Sequence, residues 1–482
     1  MSNGLDDLTA AMTQGLPSIV ISSGDPRLNR RPVFTRSEEN GTTSPVTPEA
    51  KKLCVRTKKV IPPKETLFYD LVHHHRMQLS FLCEVKAKVG RDSISSEPLV
   101  TINSIDFSPD GNFLAASTGD DTIIVLDLKQ PRPGKFINPV KKYGANLIKM
   151  LINHTAVHSS TRTDNDLRLL DLANHNYIRY FKGHTGMVGS LDVTSTARTI
   201  ISAAAAEKKV CLWDIDQLKP TACLKVATGI PSLRQWTTSE FGNELPNMKP
   251  RSIAFPQPVV AFDPTNTVFA VAARESPEYV RLFDLRNYSK GPFKTWTYNL
   301  MDKIYQQFPK HGSVEARMCA VTAMSADFTD IKFSPDGRLL LLNTSGPYFY
   351  ILDSVTGKLK TTILREGRTY NNTFLGNRAP EVSFAPDSEY VIGGSGSPSD
   401  PRIYCWSVRS GKVVAILNQE AKTDSVNLNL AINYVRHSPV SCTIAAAGGQ
   451  RISLYRSIRP ESVNGNHPVA PDPDPYSSMM AF

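Results

Sequence analysis

A strand–turn–strand unit recurs through this chain, and it constrains the fold more than any other feature. One copy reads IDFSPDG (105–111), then FLAAST, a turn, and TIIVLDL. A second reads IKFSPDGRLLLLNTSGPYFYILD (331–353). A third begins VSFAPDSEYVIGGS (382–395) and ends IYCWS (403–407). Each copy gives an apolar strand, a Pro-Asp-type turn, a second strand, a polar turn and a third strand. β-Branched and aromatic residues alternate between turn formers, which is the signature of paired strands. One such unit cannot bury its apolar faces alone, so the copies must stack on one another.

The third strand of each unit ends in a register mark: Leu126-Asp127, Leu170-Asp171, Trp213-Asp214, Phe283-Asp284, Leu352-Asp353, Trp406-Ser407 and Tyr455-Arg456. The second residues of these marks are 44, 43, 70, 69, 54 and 49 positions apart. The short spacings match the ~40–45-residue blade of a WD40 propeller. The long ones imply insertions, placed near 218–258 (which carries six prolines), 299–327 and 366–380. The expectation is all-β: a seven-bladed WD40 β-propeller. The last mark is followed almost at once by Pro460, so the final blade lacks an outer strand. LSFLCEVKAKV (79–89) precedes the first unit, alternates like a strand and can close the ring. Closure removes sheet edges that would otherwise pair with other chains.

At 482 residues the chain exceeds the ~250–300 at which one ordinary core stops growing. Its 40% hydrophobic and 21% charged residues exclude overall disorder and collagen-like structure. Residues 66–459 are expected to form the propeller. Residues 1–65 and 460–482 read as disordered tails, the first with a basic run from Lys51 to Lys64. Ser44-Pro45 and Thr47-Pro48 in that extension are proline-directed phosphorylation candidates.

No stretch approaches the ~20 apolar residues of a membrane span, and the N-terminus makes a poor signal peptide, so no membrane partner is expected. Seven scattered cysteines without C-x-x-C imply reduced, mostly buried thiols in a cytosolic or nuclear protein. A net charge of +10 favours acidic partners without choosing among them.

Gly183-His184 lies 29 residues before Trp213-Asp214 counted from the histidine. The imidazole in such an arrangement bridges a strand hydroxyl and a turn acid, here Glu207, so His184, Glu207, Trp213 and Asp214 are read as structural. Ala203 and Ala205 stand where serines are usual, which predicts an incomplete network. Asp120, Asp164 and Asp400 occupy turn positions equivalent to Glu207. His73-His74-His75 point in different directions on any regular element and lack neighbouring acids, against a metal site. GGSGSPSD (393–400) lacks the phosphate-loop pattern, and no nucleophile elbow occurs. No catalytic residue, cofactor or metal ligand is assigned.

Basic and aromatic residues interleave at Lys141, Lys142 and Tyr143, at Tyr177, Arg179 and Tyr180, and at Arg281, Arg286, Tyr288 and Lys290. They are candidates for an acidic-peptide or RNA surface, against the alternative of ordinary blade rims with stacked long side chains.

KKYGANLI (141–148), DLRLLDLANHNYIRYFKGH (166–184) and VRLFDLRNYSKGPF (280–293) together resemble one WD-repeat family. It is the small propeller subunit of the COMPASS (Set1-type) histone methyltransferase complex and, in fungi, of the cleavage and polyadenylation factor. The resemblance runs from about Leu79 to Arg456. It implies no enzyme activity and no cofactor. It implies a nuclear scaffold that holds an extended segment of the methyltransferase subunit alongside other COMPASS subunits, linking the complex to transcribing RNA polymerase II. A role in transcription termination and mRNA 3′-end processing, with cleavage and polyadenylation factor subunits as partners, is also implied. Family members are shorter, without the N-terminal extension and insertions, and their third-blade turn differs from SAAAAEKK (202–209).

Three other readings stay open at this point. One is a ubiquitin-ligase substrate receptor, and another is an enzyme site hidden in the propeller funnel. The last is direct nucleic-acid binding.

Overall fold

The computed structural model describes residues 79–86, 101–129, 135–137, 143–204, 206–226, 258–273, 278–297, 326–365, 380–397, 400, 402–417, 431–441, 443–449 and 451–457. The two expected tails, the middles of the three expected insertions, His73–His75, Lys141, Lys142 and Ala205 lie outside the described residues. The described residues form seven four-stranded antiparallel sheets, and the chain is a seven-bladed β-propeller.

Six blades are simple meanders. Blade 1 runs from its inner strand Ile102–Phe107 to its outer strand Lys135–Ile137, and blade 2 from Ala145–Met150 to Asn176–Phe181. Blade 3 runs from Val188–Val193 to Ala222–Lys225, so its outer strand falls within the 218–258 segment. Blades 4, 5 and 6 begin at Val259–Phe262, Phe328–Phe333 and Val382–Phe384. Blade 7 begins at Tyr434–His437, and its outermost strand is Leu79–Lys86, paired antiparallel with Arg451–Ser457.

The ring holds together by burial between blades. Seven apolar clusters each draw on two neighbouring blades. The seam between blades 7 and 1 joins Tyr434, Ala445 and Leu454 to Ile105, Leu114 and Leu126. Small residues on the second strands, such as Ala115, Ala270 and Ala445, are fully buried and let neighbouring sheets approach. The inner strands of blades 1, 2, 3 and 5 all shift register near their start, at Ile102/Ser104, Ala145/Ile148, Val188/Ser190 and Phe328/Asp330. Such bulges add local twist and bend the strand, as a narrow axis requires.

The acids of the register marks act in the turns. Carboxylates of Asp127, Asp171, Asp214, Asp284 and Asp353 each accept the backbone N–H two residues ahead, at 2.8–3.1 Å. Aspartate is favoured there because its short side chain satisfies a turn amide locally. Because neighbouring strands alternate in direction, the first and third turns of the six meander blades, with the first turn of blade 7, lie on one face of the ring. The second turns and the blade-to-blade connections lie on the other.

Candidate interaction surface

Around the axis the inner strands carry charged residues at one repeated position, two before the first turn: Asp106, Lys149, Asp192, Lys332 and Arg436. They clasp neighbouring blades. Asp106 accepts the Met150 amide at 2.9 Å, and Asp192 accepts the Phe262 amide at 2.8 Å while pairing with Lys149 at 3.1 Å. Lys332 donates to the Val382 carbonyl at 2.8 Å, and Arg436 pairs with Glu381 at 2.9 Å. Burial raises the Asp106 carboxyl, a shift that Lys149 and Arg436 oppose. The channel these strands enclose has a volume of about 1410 Å³. Its carboxylates face cations of adjacent blades, an arrangement that ties the ring together. Among the described residues no group of three or more His, Cys, Asp or Glu is gathered as for a metal ion.

On the face that carries the second turns, blade 3 holds a buried polar relay. The Ser202 hydroxyl lies 2.8 Å from His184 Nε2 and accepts a 2.8 Å hydrogen bond from Trp213 Nε1. His184 Nδ1 faces Glu207 Oε1 at 3.5 Å, and the same oxygen accepts the Gly186 amide at 2.8 Å. Burial lowers the His184 pKa to about 4, so the ring is neutral at pH 7. Burial pushes the Glu207 carboxyl up, but the amides of Gly186 and Thr185 outweigh it and leave it below its usual range. The expected incompleteness holds on one side only: His184 Nδ1 is buried without a hydrogen-bond partner. The strand hydroxyl is supplied by Ser202, next to the alanine at 203, because strand register sets Ser202 opposite Cys211. Asp214 stands apart from the relay, capping its turn.

Blade 2 builds a different assembly in the equivalent place. Arg168, 2% exposed, grips both Asp164 oxygens, at 2.7 and 2.5 Å, and also bonds Ser160. Its guanidinium lies 3.6 Å from the centre of the Tyr143 ring and 5.4 Å from that of Tyr180. Tyr177 packs edge-on against Tyr143 at 5.3 Å, and its hydroxyl lies 3.3 Å from His158 Nε2. The Arg168 bonds hold the Asp164 carboxyl below its usual range, and burial raises the Tyr177 hydroxyl. Beside this cluster, half-exposed Arg162 pairs with buried Asp121 at 2.6 Å. The outcome is a partly exposed cluster of aromatic rings and ion-paired arginines on one face of blades 1 and 2. Sequence reasoning found its tyrosines but missed Arg168, which the four-residue spacing to Asp164 across a tight turn could have signalled.

The remaining candidate residues lie elsewhere. Arg179 bonds the Ile215 carbonyl and approaches Asp216 at 3.6 Å, joining the outer strand of blade 2 to a turn of blade 3. Arg281 is buried in the third strand of blade 4. Arg286 is exposed, with its Nε 3.3 Å from Asp284, and Lys290 is exposed at the end of the short 3-10 turn Tyr288–Lys290. Arg286 and Lys290 occupy the third turn of blade 4, so they lie on the opposite face of the ring from Tyr143.

The WD domain, G-beta repeat, matches residues 96–127 and 175–214. The chain is 31% identical to WD repeat-containing protein 82 of Drosophila melanogaster over 334 residues, covering 69% of this chain and 84% of that protein. It belongs to that WD-repeat family. At 27% identity it also resembles the Schizosaccharomyces pombe Set1 complex component swd2, over 60% of this chain and 67% of the relative. The Saccharomyces cerevisiae COMPASS component SWD2 matches at 27% over 64% of this chain and 76% of the relative. Within a WD-repeat family a rigid ring carrying many turns is a frame for contacts, and function must be argued from those contacts.

Proposed function

We propose that this chain is a non-catalytic scaffold subunit of a Set1-type (COMPASS) histone lysine methyltransferase complex, acting in the nucleus. The observation that carries the reading is the match, over most of the propeller, to two relatives named for the Set1 complex and COMPASS. The ring supports it physically. Its inner charges are spent between blades, while its turns present fixed side chains to solvent.

The methyltransferase subunit and other COMPASS subunits are the proposed partners, with an extended segment of the methyltransferase lying on the propeller. The scaffold would link that enzyme to transcribing RNA polymerase II. A shared role with the cleavage and polyadenylation factor in termination follows from the same family resemblance. Positive charge on the molecule would speed association with an acidic segment.

Affinity purification of the tagged full chain from nuclear extract, read by mass spectrometry, tests this. Recovery of a Set1-type methyltransferase is expected. Recovery of a cullin adaptor with no methyltransferase would reject it in favour of a ubiquitin-ligase receptor. Reversing charge at Lys141 with Lys142, or at Arg286 with Lys290, is expected to weaken one partner and leave the fold intact.

A further inference from the structure

We propose that Cys211 and Cys223 form a redox-modification site, a dithiol that a hydroperoxide converts to an intramolecular disulfide. The two residues stand directly opposite each other on the third strand (Lys209–Asp214) and outer strand (Ala222–Lys225) of blade 3. Their sulfurs are 2.9 Å apart, and both are free thiols. Opposed residues on antiparallel strands have Cα atoms ~4.5–5.5 Å apart, inside the ~4.4–6.8 Å range a disulfide bridges, so closure needs no movement of the backbone.

The two thiols are inequivalent. Cys211 is fully buried against the blade 2–blade 3 core, whereas Cys223 is partly exposed at its edge. Lys209 is a cation that acts on both thiols, fixed by a 2.8 Å bond to the Gly183 carbonyl and a 3.4 Å pairing with Glu207. The Cys211 hydrogen bond brings Cys223 down to about 7, with Lys209 adding to the effect, while the same contact and burial push Cys211 up. A low-pKa thiolate that solvent can reach is the attacking group.

The chemistry follows in two balanced steps. The Cys223 thiolate attacks one peroxide oxygen; the O–O bond breaks, Cys223 becomes a sulfenic acid, and the other oxygen leaves as water or an alcohol after protonation. Cys211 Sγ then attacks the sulfenic sulfur; the S–S bond forms, the S–O bond breaks, and hydroxide leaves with the Cys211 proton as water. The two thiols lose two electrons together, and the peroxide gains them. The product staples the four-residue outer strand of blade 3 to its neighbour, at the point from which the chain runs on into residues 227–257.

Lys219 precedes Pro220, so trypsin leaves both cysteines in one peptide, 210–225. The full chain, purified reduced, is treated with equimolar hydrogen peroxide, alkylated and digested. The expected result is that most of this peptide is unalkylated and lighter by two hydrogens, and that dithiothreitol restores the doubly alkylated form. In Cys211→Ser, Cys223 is expected to be trapped by dimedone as sulfenic acid; in Cys223→Ser, Cys211 is expected to stay alkylatable. A 210–225 peptide still doubly alkylated while Cys405 or other cysteines oxidise would overturn the proposal. So would sulfinic acid at Cys223 with Cys211 untouched. Because Ser replaces Cys almost isosterically, circular dichroism of both variants checks that the ring is intact.

Discussion

The Ser202 hydroxyl accepts the Trp213 indole N–H at 2.8 Å, inside a blade where both residues are fully buried. The same oxygen meets His184 Nε2 at 2.8 Å, so one hydroxyl serves one nitrogen of each of two buried rings. Removing it leaves a buried donor without a partner, which costs about 1–3 kcal/mol. Ser202→Ala is expected to lower stability in urea by that amount without changing the secondary structure. A change under ~0.5 kcal/mol, the scatter of ordinary surface substitutions, would show that the relay contributes little.

Three histidines, His158 and His184 buried and His437 half-buried, give the fold a pH dependence of definite sign. His158, His184 and His437 are all lowered from 6.5 to about 4, in each case chiefly by burial. A folded-state pKa below the unfolded value means the unfolded chain binds more protons between those two values. Stability is therefore complete above pH ~6.5 and falls as the pH drops towards 4, by up to ~1.4 kcal/mol per pH unit for each ring. Urea midpoints at pH 7, 6 and 5 should decline steadily, before most carboxylates titrate. His437→Gln should flatten the decline, and a flat wild-type profile would contradict the assignment.

Arg168 and Asp164 predict an asymmetry between two deletions. Arg168 is buried, whereas the Asp164 side chain is 36% exposed. Asp164→Ala strands a buried guanidinium over the tyrosines, and breaking a buried pair from that side costs ~3–5 kcal/mol. Arg168→Met leaves a carboxylate that water can solvate, and its apolar stem still packs on Tyr143. The first variant is expected to be clearly the less stable in a denaturant titration; equal losses would mean that the rings, and not the charge, set the cost.

What could be read from sequence was whatever a single blade displays. The Asp of each register mark is legible because one short segment supplies both the carboxylate and the amide it accepts. Ser202 was missed because the pattern directs attention to residues 203 and 205, while the strand register places the hydroxyl one residue earlier. The axial residues were missed because each blade contributes one, so Asp106 and Lys149 are 43 positions apart in sequence. Only superposing the inner strands, each two residues before the turn, brings Asp106, Lys149, Asp192, Lys332 and Arg436 into line. The expected free and mostly buried thiols hold for Cys211, Cys223 and Cys405. The meeting of Cys211 with Cys223 across one hairpin was missed in the same way, because the strand register and not the spacing brings them together.

Two glycines are required by close packing at the seam of blades 6 and 7. A methyl group on Gly448 would run into the Ala431 carbonyl, and one on Gly394 into the backbone of Ile432. Both obstacles are backbone, which cannot rotate aside. Gly448→Ala is expected to cost about 2 kcal/mol, the scale of overpacking, and to raise hydrogen exchange in the strand Tyr434–His437. Exchange unchanged in that strand would mean that the seam gives way without strain.

Ring closure rests on one strand that is remote in sequence from its partner. Leu79–Lys86 pairs with Arg451–Ser457 along seven residue pairs, with one bulge between Phe81 and Cys83. Without it, Arg451–Ser457 becomes an edge strand with a row of unpaired N–H and C=O groups, the usual template for association with another chain. Its inner edge would stay paired with Thr443–Gly448, so the blade would keep three strands and the loss would fall on the outside of the ring. Deleting residues 1–65 should therefore leave the unfolding midpoint and the monomer peak in gel filtration unchanged. Deleting residues 1–89 should lower the midpoint and move the protein into oligomers or aggregate. If the two truncations melted together and both stayed monomeric, the pairing of Leu79–Lys86 would not be what closes the propeller.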